Sequence, residues 1–407
     1  MASLEMQAET PAVRPPQRAA ALATNLEGLQ SQIERLLDRM RLAVVFGGDK
    51  SIPGAVIQQT GNPRSWKSYE AVAQDIADAL SRLGFRHVQL MPDDMRLGER
   101  LARETIHMVW LNTGGVQGYN PACHAPATLE MLGVPYVGHD PLSATSLDNK
   151  HTFKRELMGA GIPTAPFMTW HLARGPFLPK MNSRFARIFG DYAGPFVVKP
   201  VSGRASLHVN VVDDVGDLPE VVDDVFNKTD NLVLIETYLP GREFCVSVGG
   251  PVTARGGRLT RRSIPFVFSK LERMFEPDER IFTSMDIRPI RPGRFRRPDP
   301  TADAAVLSQL GVLARDIFYE FNLSSLIRLD VRATADGRLM VLEANAKPDL
   351  TRPTNDATSL VCAGLYEYGM DYDDLILSLL ADRLDVLLTQ RRASVRHLID
   401  LLDLTSG

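Results

Sequence analysis

The feature that most limits how this 407-residue chain can fold lies late in it, in two short runs of alternating character. Ile327-Arg328-Leu329-Asp330 opens a strand predicted over residues 325–333, and Val341-Leu342-Glu343-Ala344-Asn345 closes one predicted over 339–345. Between them, Asp336–Gly337 is a strong hairpin signal, because a tight turn needs residues that tolerate positive φ. Side chains alternate faces along a strand, so Arg328 and Asp330 share one face while Ile327 and Leu329 point to a core. Glu343 and Asn345 likewise share a face, and the hairpin can set all four polar groups side by side. Two carboxylates and an amide oxygen make an oxygen-only site of the kind Mg²⁺ occupies with nucleotide phosphates. Arg328 on that face can neutralise an anion formed there. Taken alone, the hairpin also fits a solvated polar face, so the weight falls on the other segments.

Three of those segments point the same way. Val197-Val198-Lys199-Pro200 ends an apolar strand in an ammonium able to reach a phosphate. The small-residue loop Val201-Ser202-Gly203-Arg204-Ala205-Ser206 follows, where backbone N–H groups can approach an anion. In Leu234-Ile235-Glu236-Thr237-Tyr238-Leu239-Pro240-Gly241-Arg242-Glu243-Phe244 a strand ends in a hinge, with one acid before the turn and a second seven residues later. Backbone groups of such a hinge suit a purine edge, and the later acid suits a ribose. Neither a glycine–lysine–threonine phosphate loop nor a GxGxxG opening a helix is present.

Length and periodicity supply the organisation. A chain this long exceeds one ordinary core and predicts two or three domains. Hydrophobic residues make up 44% and charged residues 23%, a soluble globular mix, and a net charge of −3 predicts neither nucleic acid nor a membrane as partner. The three cysteines are far apart, which suggests neither a zinc site nor a disulfide framework and fits a cytoplasmic protein. Residues 1–23 read as a flexible tail. Residues 24–41 read as an amphipathic helix capped by Thr24 or Asn25, and it leads an N-terminal α/β domain over 24–148. Alternating strands and helices there imply a parallel sheet covered on both faces. Residues 149–240 form a small central domain in this reading. Residues 241–407 form a third, with strands at 244–249, 258–268, 325–333 and 339–345.

In their order along the chain, Asp148-Asn149-Lys150, Val198-Lys199-Pro200, Ile235-Glu236 to Gly241-Arg242-Glu243-Phe244, Arg328-Leu329-Asp330 and Leu342-Glu343-Ala344-Asn345 resemble the ATP-grasp enzymes. The resemblance is strongest to the D-alanine–D-alanine ligase branch, over about residues 42–384. It implies an α/β and α+β protein with the ATP-grasp fold. That fold has a doubly wound parallel-sheet N-terminal (pre-ATP-grasp) domain, a central lid domain and a C-terminal antiparallel-sheet domain, in a homodimer. ATP would lie between two antiparallel sheets, with Lys150 and Lys199 on its phosphates and Arg204 and Ser206 in the phosphate loop. Glu236, Thr237, Tyr238 and Leu239 would line the adenine, and Glu243 would hold the ribose. Asp330, Glu343 and Asn345 would coordinate two Mg²⁺ ions, or Mn²⁺, and Lys270 would be carried by a lid to the terminal phosphate. The implied chemistry is phosphorylation of a carboxylate to an acyl phosphate, then displacement of phosphate by an amine with Arg328 near the reacting centre.

The sequence departs from that family on the substrate side. Gly47-Gly48 precedes a longer loop over residues 49–68 that lacks the expected acid, with Asp49 and Glu70 nearest. Asn112 opens a segment, 112–121, unlike the family's, and Arg204 and Ala205 stand where serines are usual. Asp349 replaces a glycine whose N–H faces the tetrahedral oxyanion, though its own N–H remains available. Lys347, Arg352, Thr354 and Asn355 fall where the second substrate is held, and two of them are cationic, which suits an acidic acceptor. The resemblance therefore implies the same reaction on different substrates: amino acids or small acids of natural-product assembly, a mycosporine-like scaffold among them. The alternatives are an ATP-binding relative without ligase activity and an ATP-grasp phosphotransferase.

Overall fold

The computed structural model describes residues 26–47, 68–116, 120–203, 206–281, 293–355 and 357–403. The tail, the Thr24/Asn25 cap, the loop carrying Asp49, and Arg204 lie outside the described residues.

The leading helix α1 (Leu26–Leu36) buries Leu29, Ile33 and Leu36, the inner stripe of an amphipathic helix. Strands and helices then alternate: β1 (Arg41–Phe46), α2 (Glu70–Arg82), β2 (His87–Pro92), α3 (Leu97–Arg103), β3 (Met108–Leu111), α4 (His124–Leu132) and β4 (Tyr136–Val137). The four strands pair in parallel in the order β2-β1-β3-β4. Burial on both faces explains the unbroken apolar run of β1. Its Leu42, Val44 and Phe46 join one hydrophobic cluster, and Ala43 and Val45 join another.

Helix α5 (Pro141–Asp148), capped by Asp140, leads into α6 (Lys150–Gly159), whose first turn is capped by the Asn149 side chain. Strands β5 (Phe167–Trp170), β6 (Phe196–Pro200), β7 (Asn210–Val212) and β8 (Val233–Thr237) form an antiparallel sheet in the order β5-β8-β6-β7. Between them run α7 (Ser183–Phe189) and α8 (Leu218–Thr229), which bury Phe185, Phe189, Leu218, Val222 and Val225 against one face.

The third region contains β9 (Glu243–Gly249), β10 (Val252–Arg255), β11 (Arg258–Arg261), β12 (Phe266–Arg273), β13 (Phe295–Arg296), α9 (Ala304–Glu320), β14 (Ile327–Ala333), β15 (Leu339–Asn345), α10 (Tyr372–Gln390) and α11 (Arg396–Asp403). Its five-stranded sheet runs β13-β12-β9-β14-β15, and α9 covers one face through Leu310, Ala314 and Ile317. The single strand expected over 258–268 is two. The chain leaves the β10–β11 hairpin after Arg261 and enters the large sheet at Phe266, directly after Pro265, which has no N–H to give a ladder.

That hairpin is pinned to α10 by an unusual seam. Asp382 accepts from the N–H of Val252, Ser378 from that of Ala254, and Asp374 from those of Gly256 and Gly257. Four residues of helix advance ~6 Å and two residues of strand ~6.6 Å, so polar side chains at every fourth helix position can serve alternate N–H groups of a strand edge. Helix α1, the hairpin, α10, α11 and one face of the parallel sheet share a single hydrophobic cluster.

Candidate active site

The predicted hairpin exists, and its register sets Arg328 opposite Asn345 and Asp330 opposite Glu343. Strict alternation would not have delivered this. Leu339 and Val341 point into the core under α9, and alternation would send Glu343 and Asn345 after them. A β-bulge next to Asp330 shifts the ladder so that Val331 pairs with Val341, and the phase of β15 reverses there. Leu342 and Glu343 both line the pocket, Ala344 returns to the core, and Asn345 turns to Asp330 without lining the pocket itself.

A second bulge, between Phe268 and Leu271 of β12, has the opposite effect on Lys270. Ser269 adopts φ 46°, donates to the carbonyl of Val361, and packs so tightly that a Cβ on Gly364 would come within 2.7 Å of it. The phase change turns Lys270 to the helix-covered side, where its Nζ donates to the Leu307 carbonyl of α9 at 2.8 Å. Lys270 is therefore not at the pocket, contrary to the sequence expectation. Arg273, three residues on, is: it donates to Glu243 Oε1 at 2.7 Å and to Asp330 Oδ2 at 3.1 Å.

Arg273, Glu243, Asp330 and Glu343 floor a pocket between the two antiparallel sheets. Lys150, Lys199, Ser206, Glu236, Thr237, Tyr238, Leu239, Glu243, Asp330 and Glu343 all line it, together with Leu342, Ile281 and Arg332. The hinge after β8 is fixed by Gly241, whose N–H donates to Ala333 O at 3.0 Å and where a Cβ would meet that oxygen at 2.6 Å. Arg332 stacks on Tyr238 and Phe275 and donates to the Tyr238 hydroxyl.

Every carboxylate on this floor has a cationic partner. Lys150 lies 3.3 Å from Glu343, Arg328 bonds Asp330, and Glu236 sits between Lys199 and Lys154, the latter at 3.0 Å. Burying a lone ion costs several kcal/mol, so these pairs are what keep the acids charged. Burial alone would raise the Asp330 carboxyl, but Arg273 and Arg328 hold it below the usual carboxylate range. Glu236 is likewise pushed up by burial, then pulled down to about 2 by Lys154 and Lys199. Asn345 aims Nδ2 at Arg328 O and Asp330 Oδ2, so its amide oxygen is the atom it could offer a cation. Two carboxylates and that oxygen on adjacent register positions are a donor set that fits Mg²⁺ sharing its remaining positions with phosphate and water.

The residues expected on the substrate side cluster less tightly. Lys347 places its ammonium 3.5 Å from the centre of the Tyr69 ring, and Asn112, buried at the end of β3, donates to the Tyr69 carbonyl. The backbone N–H of Arg352 reaches Asp75 of α2. Asp349 turns its carboxylate back onto the N–H and hydroxyl of Thr351, while Thr354 bonds within its own loop and Asn355 is exposed. None of these six lines the pocket described above.

Sequence reasoning missed Arg332, Arg273 and Lys154. Arg332 was within reach, since it continues the alternation Arg328, Asp330, Arg332 by one step. Lys154 stands four residues after Lys150 on α6 and so shares its face. For Arg273 the bulge removes any simple periodic signal.

The model of the D-ala D-ala ligase C-terminus matches residues 157–279. A D-alanine–D-alanine ligase of Gloeobacter violaceus is 27% identical over 307 residues, covering 75% of this chain and 91% of its own. An uncharacterised protein of Sinorhizobium fredii is 27% identical over 346 residues, covering 80% and 93%. Among solved structures, the D-alanine–D-alanine ligase of Coxiella burnetii superposes with TM-score 0.60 at 17% identity, covering 89% of this chain and 98% of its own. That of Bacillus anthracis complexed with ATP gives TM-score 0.57 at 21% identity, covering 85% and 98%. The chain thus has the ATP-grasp fold of the D-alanine–D-alanine ligases and is similar to those proteins over most of its length.

Proposed function

We propose that this protein is an ATP-dependent carboxylate–amine ligase acting on amino acids or small acids, with release of ADP and phosphate. The observation that carries the reading is the pairing of Asp330 with Glu343 on the floor of a pocket that also holds Lys150 and Lys199, with Arg328 and Asn345 beside Asp330 just outside the lining. The pocket accepts a nucleotide with its base at the Glu236–Leu239 hinge, its ribose at Glu243 and its phosphates between Lys150 and Lys199. Asp330, Glu343 and Asn345 would hold two Mg²⁺ ions, which neutralise phosphate charge when bound.

The chain's own residues then mainly position and neutralise. Substrate carboxylate oxygen attacks the γ-phosphorus, the bond to the β-phosphate oxygen breaks, and ADP leaves. The amine attacks the acyl carbon, and phosphate departs. Arg328, on the same strand face as Asp330, lies where it can stabilise the anionic centres of both steps. Lys347 and Arg352, in the loop after β15, would receive an acidic acceptor, and Asp349 would contribute its backbone N–H rather than its carboxylate.

ADP release measured across pairs of amino acids and small acids, with mass detection of products, tests the reading. ADP formation that requires both an acid and an amine, with a dehydrated adduct of the two, is expected. ADP released at the same rate without any amine would replace the ligase reading with a phosphotransferase.

A further inference from the structure

Two lysines converge on one fully enclosed carboxylate, and only one of them can see a ligand. Glu236 is 2% exposed and takes Lys199 on Oε1 and Lys154 on Oε2. Lys199 lines the nucleotide pocket; Lys154, 0% exposed, does not. Lys154 is also tied down on its far side. Its Nζ donates to Thr164 Oγ1 at 2.5 Å, that hydroxyl donates to the Val341 carbonyl of β15 at 2.8 Å, and the ammonium lies 5.2 Å from the centre of the Phe167 ring. It cannot follow a ligand.

We propose that Lys154 is the standing counter-ion of Glu236, the group that frees Lys199 to leave that carboxylate for the phosphates of a nucleotide. The inference rests on the nucleotide reading of the pocket. Lys199 starts bound to Glu236, so binding a phosphate means exchanging one anion for another. With a single lysine, the exchange would strand a bare carboxylate in the interior, and that cost would oppose binding. With Lys154 held on Oε2, Glu236 stays neutralised throughout. The other phosphate lysine needs no such arrangement: Lys150 pairs with Glu343, whose side chain is 33% exposed and can be hydrated when released. The asymmetry in exposure between Glu236 and Glu343 matches the asymmetry in their partners.

The role makes Lys154 a positioning residue, and a double substitution separates it from mere packing. In Lys154→Met, an unbranched apolar side chain replaces the ammonium and Lys199 becomes the sole partner of Glu236. Calorimetric affinity for ATP and for ADP, without acid or amine, should fall by ~10-fold or more. In Lys154→Met/Glu236→Gln the carboxylate charge is gone and Lys199 is released, so affinity should exceed that of Lys154→Met and match that of Glu236→Gln alone to within ~3-fold. The glutamine still offers an acceptor oxygen to the base. Wild-type affinity in Lys154→Met, or a double variant no tighter than the single one, overturns the proposal. Should Lys154→Met fail to fold by circular dichroism, Glu236→Gln is compared with the double variant, and equal affinities support the proposal while a further large loss on removing Lys154 overturns it. A wild-type protein that binds no adenine nucleotide overturns the functional reading itself, a result distinct from either.

Discussion

Two sets of acidic side chains in this protein are satisfied in two different ways. On the pocket floor, Glu236, Glu243, Asp330 and Glu343 are each met by lysine or arginine. At the seam between α10 and the β10–β11 hairpin, Asp382 is met by a backbone N–H of the strand edge and Asp374 by two of the hairpin turn. A cation on a long side chain can change partners, whereas an N–H fixed in a strand cannot. The pocket is therefore built to trade its internal ion pairs for a polyanion and metal, and the seam is built to stay as it is. Burial alone does not mark a functional acid; the mobility of its partner does.

The largest test of this contrast is Glu343→Gln. It keeps shape and one acceptor but removes the charge that a divalent ion requires. ADP formation should fall by ~10³-fold or more, as for loss of a group that stabilises charge in phosphoryl transfer. The melting temperature should not fall, because Glu343 contributes to a ligand site rather than to the core. Turnover near wild type would remove Glu343 from the metal set. At the seam the expectation inverts. Asp374→Ala frees the N–H groups of Gly256 and Gly257 and takes away half of the α10 capping box with Asp371. A loss of about 1–2 kcal/mol in denaturant unfolding follows from the lost hydrogen bonds and the damaged cap, the N–H groups of the exposed Gly256 and Gly257 turning to water. ATP affinity measured well below the new melting temperature should be unchanged, and a parallel loss of affinity would show that the seam is coupled to the pocket.

The sequence carried the polar set of the pocket because those residues recur at strand spacing beside apolar partners. Arg328, Asp330, Glu343 and Asn345 were legible as a group for that reason, and so was the hinge from Glu236 to Glu243. What the sequence did not show was phase. Each of the two bulges adds one residue to a ladder, and nothing in Leu342 or Ser269 announces it. One bulge rescues Glu343 and Asn345 from the core, and the other removes Lys270 from the pocket and leaves Arg273 in its place. The seam was invisible for another reason: its acids satisfy N–H groups more than 110 residues away in the chain, and no local pattern encodes that distance. The parallel sheet was readable from the apolar run of β1, but the partners of α1 were not, since an amphipathic stripe states only that something covers it.

Asp382→Asn tests the seam more gently. Burial pushes the Asp382 carboxyl up from 3.8 to about 7, with the Val252 N–H only partly offsetting it. The folded state then binds a proton that the unfolded state has already released across the interval between those values. By linkage, this group lowers stability progressively as pH rises from about 4 to about 7, and the full cost is present above that. Asparagine still accepts from Val252 but carries no charge to desolvate. The variant should melt a few degrees above wild type at about pH 8 and converge with it toward about pH 4. A difference that does not depend on pH would mean that Asp382 stays ionised in the folded protein.

The smallest expected effect belongs to the lysine that the second bulge turns away. Lys270 is held by a carbonyl of α9 on the face opposite Asp330, and the Arg315 guanidinium is its charged neighbour there. Lys270→Ala removes one partly buried hydrogen bond and some packing on α9, which amounts to about 1 kcal/mol of stability. It removes nothing from the pocket floor, so ADP release at saturating substrates should change by less than ~2-fold, within the ordinary range of a surface substitution. Arg273→Ala, by contrast, strips Glu243 and Asp330 of a shared cation and should weaken ATP binding measurably. If Lys270→Ala instead loses turnover while Arg273→Ala does not, the strand must shift register when nucleotide binds, and the two bulges would be the moving parts rather than fixed features of the sheet.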